Sequence, residues 1–377
     1  MAKAKAFSRL PGFRDFPPED LRIRSHVFDA WRRTSLRYGF QEYDGPPLES
    51  LDLYAEKSGQ EIVGQLYAFR DKGDREVTLR PEMTPSLARI LGERSRAMPK
   101  PIRWFTLPQL FRYERQQRGR LREHFQWNVD VVGEAGVGAD AEIVAVALDA
   151  LRGLGLSSDD IVARVSDRRL LTAILTSAGV PEDKLLVAFE VVDKVEREDR
   201  DRSLQRLQDE CGLSEGKAGE LLALVETGKL DDVARLHGGD PVVSGALQEM
   251  EEFQAILSQL GLGDYIEVDL RIVRGLAYYT GIVFEIFDRD RQFRAVCGGG
   301  RYDRLLELVG GEPLPATGFG MGDVVLTELL SEKGLLPSLE RQADLYLVSI
   351  TPELRPLAHE LARAHRDAGR RVLYSLR

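Results

Sequence analysis

From Leu21 onward, Leu21, Val27, Phe28, Trp31 and Leu36 return near one face of a 3.6-residue repeat, behind Pro17-Pro18-Glu19-Asp20 and ahead of Tyr38-Gly39. Helix starts favour proline and acids, and helix ends favour glycine, so a helix is predicted from Glu19 to Arg37. Gln41-Glu42-Tyr43 reads as a short extended piece stopped at Gly45-Pro46-Pro47, residues that cannot continue a helix. Between Pro101 and Gly133 the period drops to two. Pro108 and the polar run Arg115 to Arg122 break that stretch into two or three antiparallel strands with one long charged hairpin loop. In Phe125 to Val131 the alternation sends Phe125, Trp127, Val129 and Val131 to one face, and Gln126, Asn128 and Asp130 to the other. The first face is expected to pack and the second to form a polar floor for a ligand.

Ala141 to Leu154 is patterned as an apolar helix and Ile161 to Val165 as a strand. From Asp167 to Gly261 the chain turns helical and charged, as an inserted helical domain would; the run from Lys194 to Arg202 is expected to be a solvated helix face. Strand character returns at Ile266 to Val273 and Ile282 to Phe287. Cys297-Gly298-Gly299-Gly300 reads as a glycine-rich turn, Tyr302 to Val309 as a helix, and Thr317 to Gly322 as a strand running into a helix. After Ala343, Leu345 to Val348, Pro356 to Ala368 and Arg371 to Leu373 read as β-α-β, the start of an α/β unit too small to stand alone, so that it is expected to be truncated or to pack on something else. The expected division is 1–166 and 262–338 as two parts of one core, 167–261 as the insertion, and 339–377 as the incomplete α/β unit. The fold class is α+β, an antiparallel sheet of six or seven strands flanked by helices.

Composition narrows the function. The 377 residues are 43% hydrophobic and 30% charged, as in soluble globular proteins, and no window approaches the ~18 uninterrupted apolar residues of a membrane span. Cys211 and Cys297, far apart and without metal-ligand spacing, offer neither a disulfide framework nor a structural zinc, which fits a cytoplasmic location. A net charge of -9 argues against wrapping nucleic acid through bulk charge, though not against a local basic site. His26, His124, His237, His359 and His365 form no pair at metal spacing and have no visible nucleophile partner.

What stands out is arginine. Arg112, Arg115, Arg118 and Arg120 cluster around Glu114, Arg274 precedes Gly275-Leu276-Ala277-Tyr278-Tyr279, and Arg301 follows the glycine run. The planar guanidinium suits bidentate gripping of phosphate or carboxylate, and equally well ordinary ion pairing with nearby acids. Without a nucleophile or a metal, the chemistry left is positioning and electrostatics, the manner of phosphoryl and nucleotidyl transfer.

In this order the segments resemble the histidyl-tRNA synthetase family of class II aminoacyl-tRNA synthetases. The helix and strand ending at Pro46 are similar to the dimer-forming motif 1; Phe111-Arg112-Tyr113-Glu114 through the loop to Phe125-Gln126 is similar to motif 2; Arg274 to Gly281 is similar to the histidine-specific Arg-Gly-Leu-Asp-Tyr-Tyr signature. Leu79-Arg80-Pro81-Glu82-Met83-Thr84-Pro85 and Gly299-Gly300-Arg301-Tyr302-Asp303 complete the set. The resemblance implies ATP and Mg²⁺ as cofactors, histidine and tRNA(His) as substrates, and a homodimer. By position, Arg112 would hold the ATP α-phosphate, Glu114 the adenine amino group and Arg120 the β/γ-phosphates, with Arg274 on the charge that develops as the histidine carboxylate attacks. Glu82, Thr84, Gln126, Asp130, Tyr278 and Tyr279 would surround the amino acid.

Three positions depart from the pattern. The motif 3 arginine is replaced by Val324, the signature aspartate by Ala277, and the aromatic that stacks on adenine by His124, with Phe125 one place later. The alternative the resemblance leaves is a non-catalytic paralogue, the histidine-sensing regulatory subunit that partners the catalytic subunit of ATP phosphoribosyltransferase.

Overall fold

The computed structural model describes residues 7–55, 64–115, 117–273, 279–308, 311–337 and 343–376. Two compact units divide at Leu335 and Leu336. The first opens with helix α1 (Pro18–Arg37), with proline at its start, Glu19 and Asp20 in its first turn and Arg37 in its last, all matched to the helix dipole. It is followed by β1 (Gln41–Glu42), β2 (Leu48–Ser50), α2 (Asp52–Ala55), β3 (Tyr67–Arg70), β4 (Glu76–Leu79) and α3 (Thr84–Arg94). Next come β5 (Ile102–Thr106), β6 (Gln109–Phe111), β7 (Glu123–Val132), α4 (Val137–Gly153) and β8 (Ile161–Asp167).

The insertion begins at Asp167, whose carboxylate caps α5 (Arg168–Ala178) by accepting from the amides of Arg169 and Leu170. It continues through α6 (Leu185–Lys194), α7 (Arg200–Asp209), α8 (Glu215–Thr227), α9 (Leu230–His237) and α10 (Pro241–Gln259). These helices close around a core of their own that includes Leu170, Ile174, Val191, Leu207, Leu222 and Val243. The chain then returns as β9 (Ile266–Val268), β10 (Ile282–Asp288), β11 (Cys297–Arg301), α11 (Leu305–Leu308), β12 (Ala316–Gly322) and α12 (Asp323–Glu332).

Nine strands make the main sheet, in the order β1-β5-β7-β12-β11-β10-β8-β9 with β6 pairing to the start of β7; β2, β4 and β3 form a second, three-stranded sheet. The main sheet is antiparallel except at its two edges, where β1 runs parallel to β5 and β9 parallel to β8. The count exceeds the six or seven expected because the edge strands have only two and three residues, too few to show a period of two. For the same reason Ile266 to Val273 is a strand only as far as Val268. Among the described residues the helix expected from Tyr302 to Val309 is confined to Leu305–Leu308.

The larger correction concerns Cys297 to Gly300. It is not a turn but the buried central strand β11, paired with β10 on one side and β12 on the other. Its glycines answer to the neighbouring strands: a Cβ on Gly299 would lie 2.2 Å from the Gly318 carbonyl oxygen and 2.6 Å from the Phe319 Cβ. Composition alone suits a turn, and only the register shows that the glycines make room in a sheet.

Behind β7 and β12, α1 covers the apolar face. Trp31 stacks on Trp127 with centroids 5.9 Å apart, the Trp127 indole donates to Ser35 Oγ at 3.0 Å, and the Trp31 indole donates to Met321 Sδ at 3.3 Å. With that face filled, Gln126, Asn128 and Asp130 are directed to the opposite side of the sheet. In the second unit, β13 (Leu345–Leu347) and β14 (Val372–Tyr374) are parallel and joined through α13 (Arg355–Asp367), the β-α-β arrangement read from the sequence.

Candidate active site

A cavity of about 1230 Å³ opens on that polar side of the sheet. Gln126, Asn128 and Asp130 on β7 and Gly318, Gly320 and Gly322 on β12 lie across from one another in register and form its floor. Gly318 and Gly320 are spatially required here: a Cβ on Gly318 would come 2.2 Å from Asp130 Oδ1, and one on Gly320 would come 2.6 Å from Gln126 Nε2, whereas one on Gly322 would meet nothing within 4 Å. Asp130 is 6% exposed, and burial pushes its carboxyl up to about 7 even though the Tyr302 hydroxyl donates to Oδ1 and counters the shift. An arriving ammonium would restore the charged form.

Glu82 and Thr84 line the same cavity from the start of α3. Their segment is pinned by Arg80, 5% exposed, whose Nη1 reaches Asp44 Oδ1 at 2.9 Å and the Gly45 carbonyl at 2.6 Å while Nε donates to the Gln109 carbonyl at 3.1 Å. Tyr54 Oη adds a hydrogen bond to the Glu82 carbonyl at 3.2 Å. Tyr279 also lines the cavity; Arg274 and Tyr278 lie outside the described residues.

Arg112, Glu114, Arg120 and His124 come together on the wall formed by β6, β7 and the loop between them. Arg112 Nε donates to the Pro81 carbonyl at 2.9 Å, which ties it to the Glu82 segment, and no carboxylate among the described residues neutralises it. Glu114 and Arg120 stand 3.0 Å apart without hydrogen-bond alignment, a charge contact that a ligand can replace. The His124 ring is pushed down to about 3 by burial, with the charges of Arg112 and Arg14 adding to the effect, so it is neutral at physiological pH and presents an uncharged face to the cavity. Asp323, at the start of α12, knits the site from below: Oδ1 accepts from the Phe125 amide at 2.9 Å and Oδ2 pairs with Arg14 at 2.9 Å.

Several residues at the site carry no signal in the sequence pattern. Tyr302 stands out there only as part of its motif, yet it holds Asp130. Arg301 is no ligand-gripping arginine: 3% exposed, it clamps Asp140 with Nη2 2.6 Å from Oδ2 and binds the carbonyls of Glu134 and Gly136. The charge run after Lys194 is not simply a solvated face either. Glu196 pairs with Arg164 at 2.9 Å, Arg271 at 2.9 Å and Arg291 at 3.1 Å, and Asp193, Glu196 and Arg197 line the cavity. Nothing in a one-dimensional pattern marks an acid whose partners are brought from other strands and loops. Val324 and Val325 also line the cavity, without charge, where motif 3 carries its arginine in the family.

An antiparallel sheet carrying its charged cavity on one face and a long helix across the other defines a class II aminoacyl-tRNA synthetase core. The same fold is found in a histidyl-tRNA synthetase from Nostoc sp. PCC 7120 (TM-score 0.86, 24% identity, 99% of this chain and 87% of that one) and in an ATP phosphoribosyltransferase regulatory subunit/histidyl-tRNA synthetase from Bacillus halodurans (TM-score 0.84, 25% identity, 99% and 93%). The histidyl-tRNA synthetase family model matches residues 12–323. The chain is 42% identical over 361 residues to the chloroplastic/mitochondrial histidine–tRNA ligase of Arabidopsis thaliana, covering 96% of this chain and 74% of that one. It is 41% identical over 375 residues to the histidine–tRNA ligase of Opitutus terrae, covering 98% and 85%. The chain belongs to the histidyl-tRNA synthetase family.

Proposed function

We propose that the chain is a histidine–tRNA ligase that activates histidine with ATP to histidyl-adenylate and transfers it to tRNA(His). The observation that carries this reading is the joining, in one cavity, of an acid on the polar floor with the arginines of the β6–β7 wall. A histidine carboxylate oxygen forms the new bond to the α-phosphorus, the bond from that phosphorus to the β-bridging oxygen breaks, and pyrophosphate leaves with the electron pair. Arg112 and Arg274 hold the α-phosphate and favour the charge that builds on it. Glu114 accepts from the adenine amino group once Arg120 turns to the β/γ-phosphates, and the neutral His124 ring stacks on the base. Asp130 pairs with the ammonium of the amino acid, while Glu82, Thr84, Gln126, Tyr278 and Tyr279 complete its pocket.

Mg²⁺ fits as an ion carried in on the triphosphate, since that ion commonly takes one or two protein carboxylates and fills its shell with phosphate and water. Glu285 lines the cavity and can supply such an oxygen. Bound there, it would neutralise phosphate charge. We place the protein in the cytoplasm as a homodimer built through α1 and β1, an edge strand of two residues beside a helix with Leu21 and Leu36 exposed. Among the described residues no helix is long and apolar enough to cross a membrane.

The test is histidine-dependent ATP–pyrophosphate exchange. Exchange above the rate without histidine is the expected result. Histidine binding without exchange would replace this reading with the regulatory one, in which the partner is the ATP phosphoribosyltransferase catalytic subunit.

A further inference from the structure

The motif 3 segment carries no arginine at Val324 or Val325, yet the wall beside it is not short of positive charge. The loop from β10 to β11 docks on the loop from β6 to β7. The Arg118 guanidinium lies 4.9 Å from the Phe293 ring centroid, and Arg294 Nη2 donates to Gln117 Oε1 at 2.8 Å. Gly119 marks the junction: a Cβ there would sit 3.1 Å from Val325 Cγ2 and 3.9 Å from Arg294 Cδ. The aliphatic stem of Arg294 and the apolar Val325 therefore flank the same backbone position, one residue before Arg120, and all of them line the cavity.

The neighbouring arginines are already matched. Arg118 faces Glu328 at 3.5 Å, Arg120 faces Glu114 at 3.0 Å and Arg291 faces Glu196 at 3.1 Å. Among the described residues Arg294 has no carboxylate within ion-pairing distance; its partner is the neutral amide of Gln117, which orients the guanidinium without cancelling its charge. A charged fork held in place and not neutralised, on the wall of a cavity, is prepared for an anion.

We propose that Arg294 supplies a second cation, beside Arg120, for the β/γ end of the ATP triphosphate, taking over the task of the arginine that motif 3 lacks here. The inference rests on the reading of the cavity as an ATP site. It makes Arg294 a nucleotide-specificity residue, one that distinguishes a triphosphate from a monophosphate.

Calorimetric titration of the full chain with MgATP and with AMP, in wild type, Arg294→Ala and Arg294→Lys, decides it. Wild type should hold MgATP more tightly than AMP. Arg294→Ala should weaken MgATP by about tenfold or more and leave AMP and histidine unchanged within error, because one charge-assisted contact is lost and no other. Arg294→Lys should recover much of the loss, as the charge returns without the fork. Equal losses for MgATP and AMP, no loss for either, or a wild type that does not prefer MgATP would each overturn the proposal. If Arg294→Ala loses its preference for MgATP but the wild type shows no histidine-dependent exchange, the activation reading fails while the assignment of Arg294 stands.

Discussion

The floor and the rim of the cavity are built on opposite principles. The floor is backbone: β7 and β12 lie in fixed register, glycines at 318 and 320 leave the space that Asp130 and Gln126 fill, and Trp31 and Trp127 close the far face. The rim is side chain: Arg291 with Glu196 and Arg294 with Gln117 bring together loops from distant parts of the chain, while Glu114 and Arg120 pair within one loop, and the arginines are largely exposed. A close-packed floor cannot adapt and so selects one small ligand by shape and charge. Exposed ion pairs contribute little to stability, so a polyanion can displace them at small cost. On the proposed reading, discrimination among amino acids is set where the backbone is rigid, and charge neutralisation where side chains are free to change partners.

The sharpest way to break this division is Arg112→Ala. Arg112 is held by the Pro81 carbonyl and lies on the wall, not the floor. Exchange should fall about 10²- to 10³-fold, the usual cost of removing one preorganised donor from a developing charge. Histidine affinity measured by calorimetry should fall far less than exchange, because Asp130 and Gln126 on the floor are untouched and only the tie to the Pro81 carbonyl beside Glu82 is lost. A parallel collapse of histidine binding would show that the two regions are not separable.

Asp130→Asn tests the floor from the other side. The amide still accepts from the Tyr302 hydroxyl but offers no charge to an ammonium, so histidine affinity should drop about 10- to 100-fold. Stability should move the opposite way. The folded-state carboxyl titrates near 7, above its unfolded value of 3.8, so between these two values the native state binds the extra proton and stability falls as pH rises. The variant escapes that loss, whose slope is about 1.4 kcal/mol for every tenfold fall in proton concentration within the window. Thermal melts should therefore show the variant more stable than wild type above pH ~7, with the advantage shrinking toward pH ~4. A pH-independent difference would mean that Asp130 is not held near neutrality.

The same contrast decides what could be read in advance. The floor is legible because period-two alternation in Phe125 to Val131 is a local property, and it places Gln126 and Asp130 on one face without reference to the rest of the fold. The glycines of β11 misled because glycine serves turns and close strand approach equally, and only cross-strand register separates the two uses. The assignments of Glu82, Arg112, Glu114 and Arg120 came from family resemblance, not from periodicity, and the structure brings these residues to one cavity. Tyr302 on Asp130, Arg294 on Gln117 and Glu196 among three arginines left no signal, since each contact spans 95 to 177 residues except the Glu196 contacts to Arg164 and Arg271 at 32 and 75, all beyond any local pattern.

The smallest expected effect belongs to Glu196, where the rim joins the insertion. Burial alone would raise its carboxyl, but the hydrogen bond and charge of Arg164, with Arg291 and Arg271, hold it down at about 2, below the ordinary 4.5. A depressed acid contributes stability above its unfolded value and loses it as pH falls from 4.5 toward 2. Glu196 is 30% exposed, and Arg291 is 51% exposed, so solvent and salt screen much of that contribution. Glu196→Gln should therefore cost only about 1 kcal/mol at neutral pH and low salt, less at high salt, and nothing measurable near pH ~2. Exchange should change little, because the released arginines remain on the cavity wall and add to its positive potential. A large, salt-independent loss of stability would show instead that this corner is as rigid as the floor, with the buried pair of Arg164 and Asp269 extending the backbone scaffold into the rim.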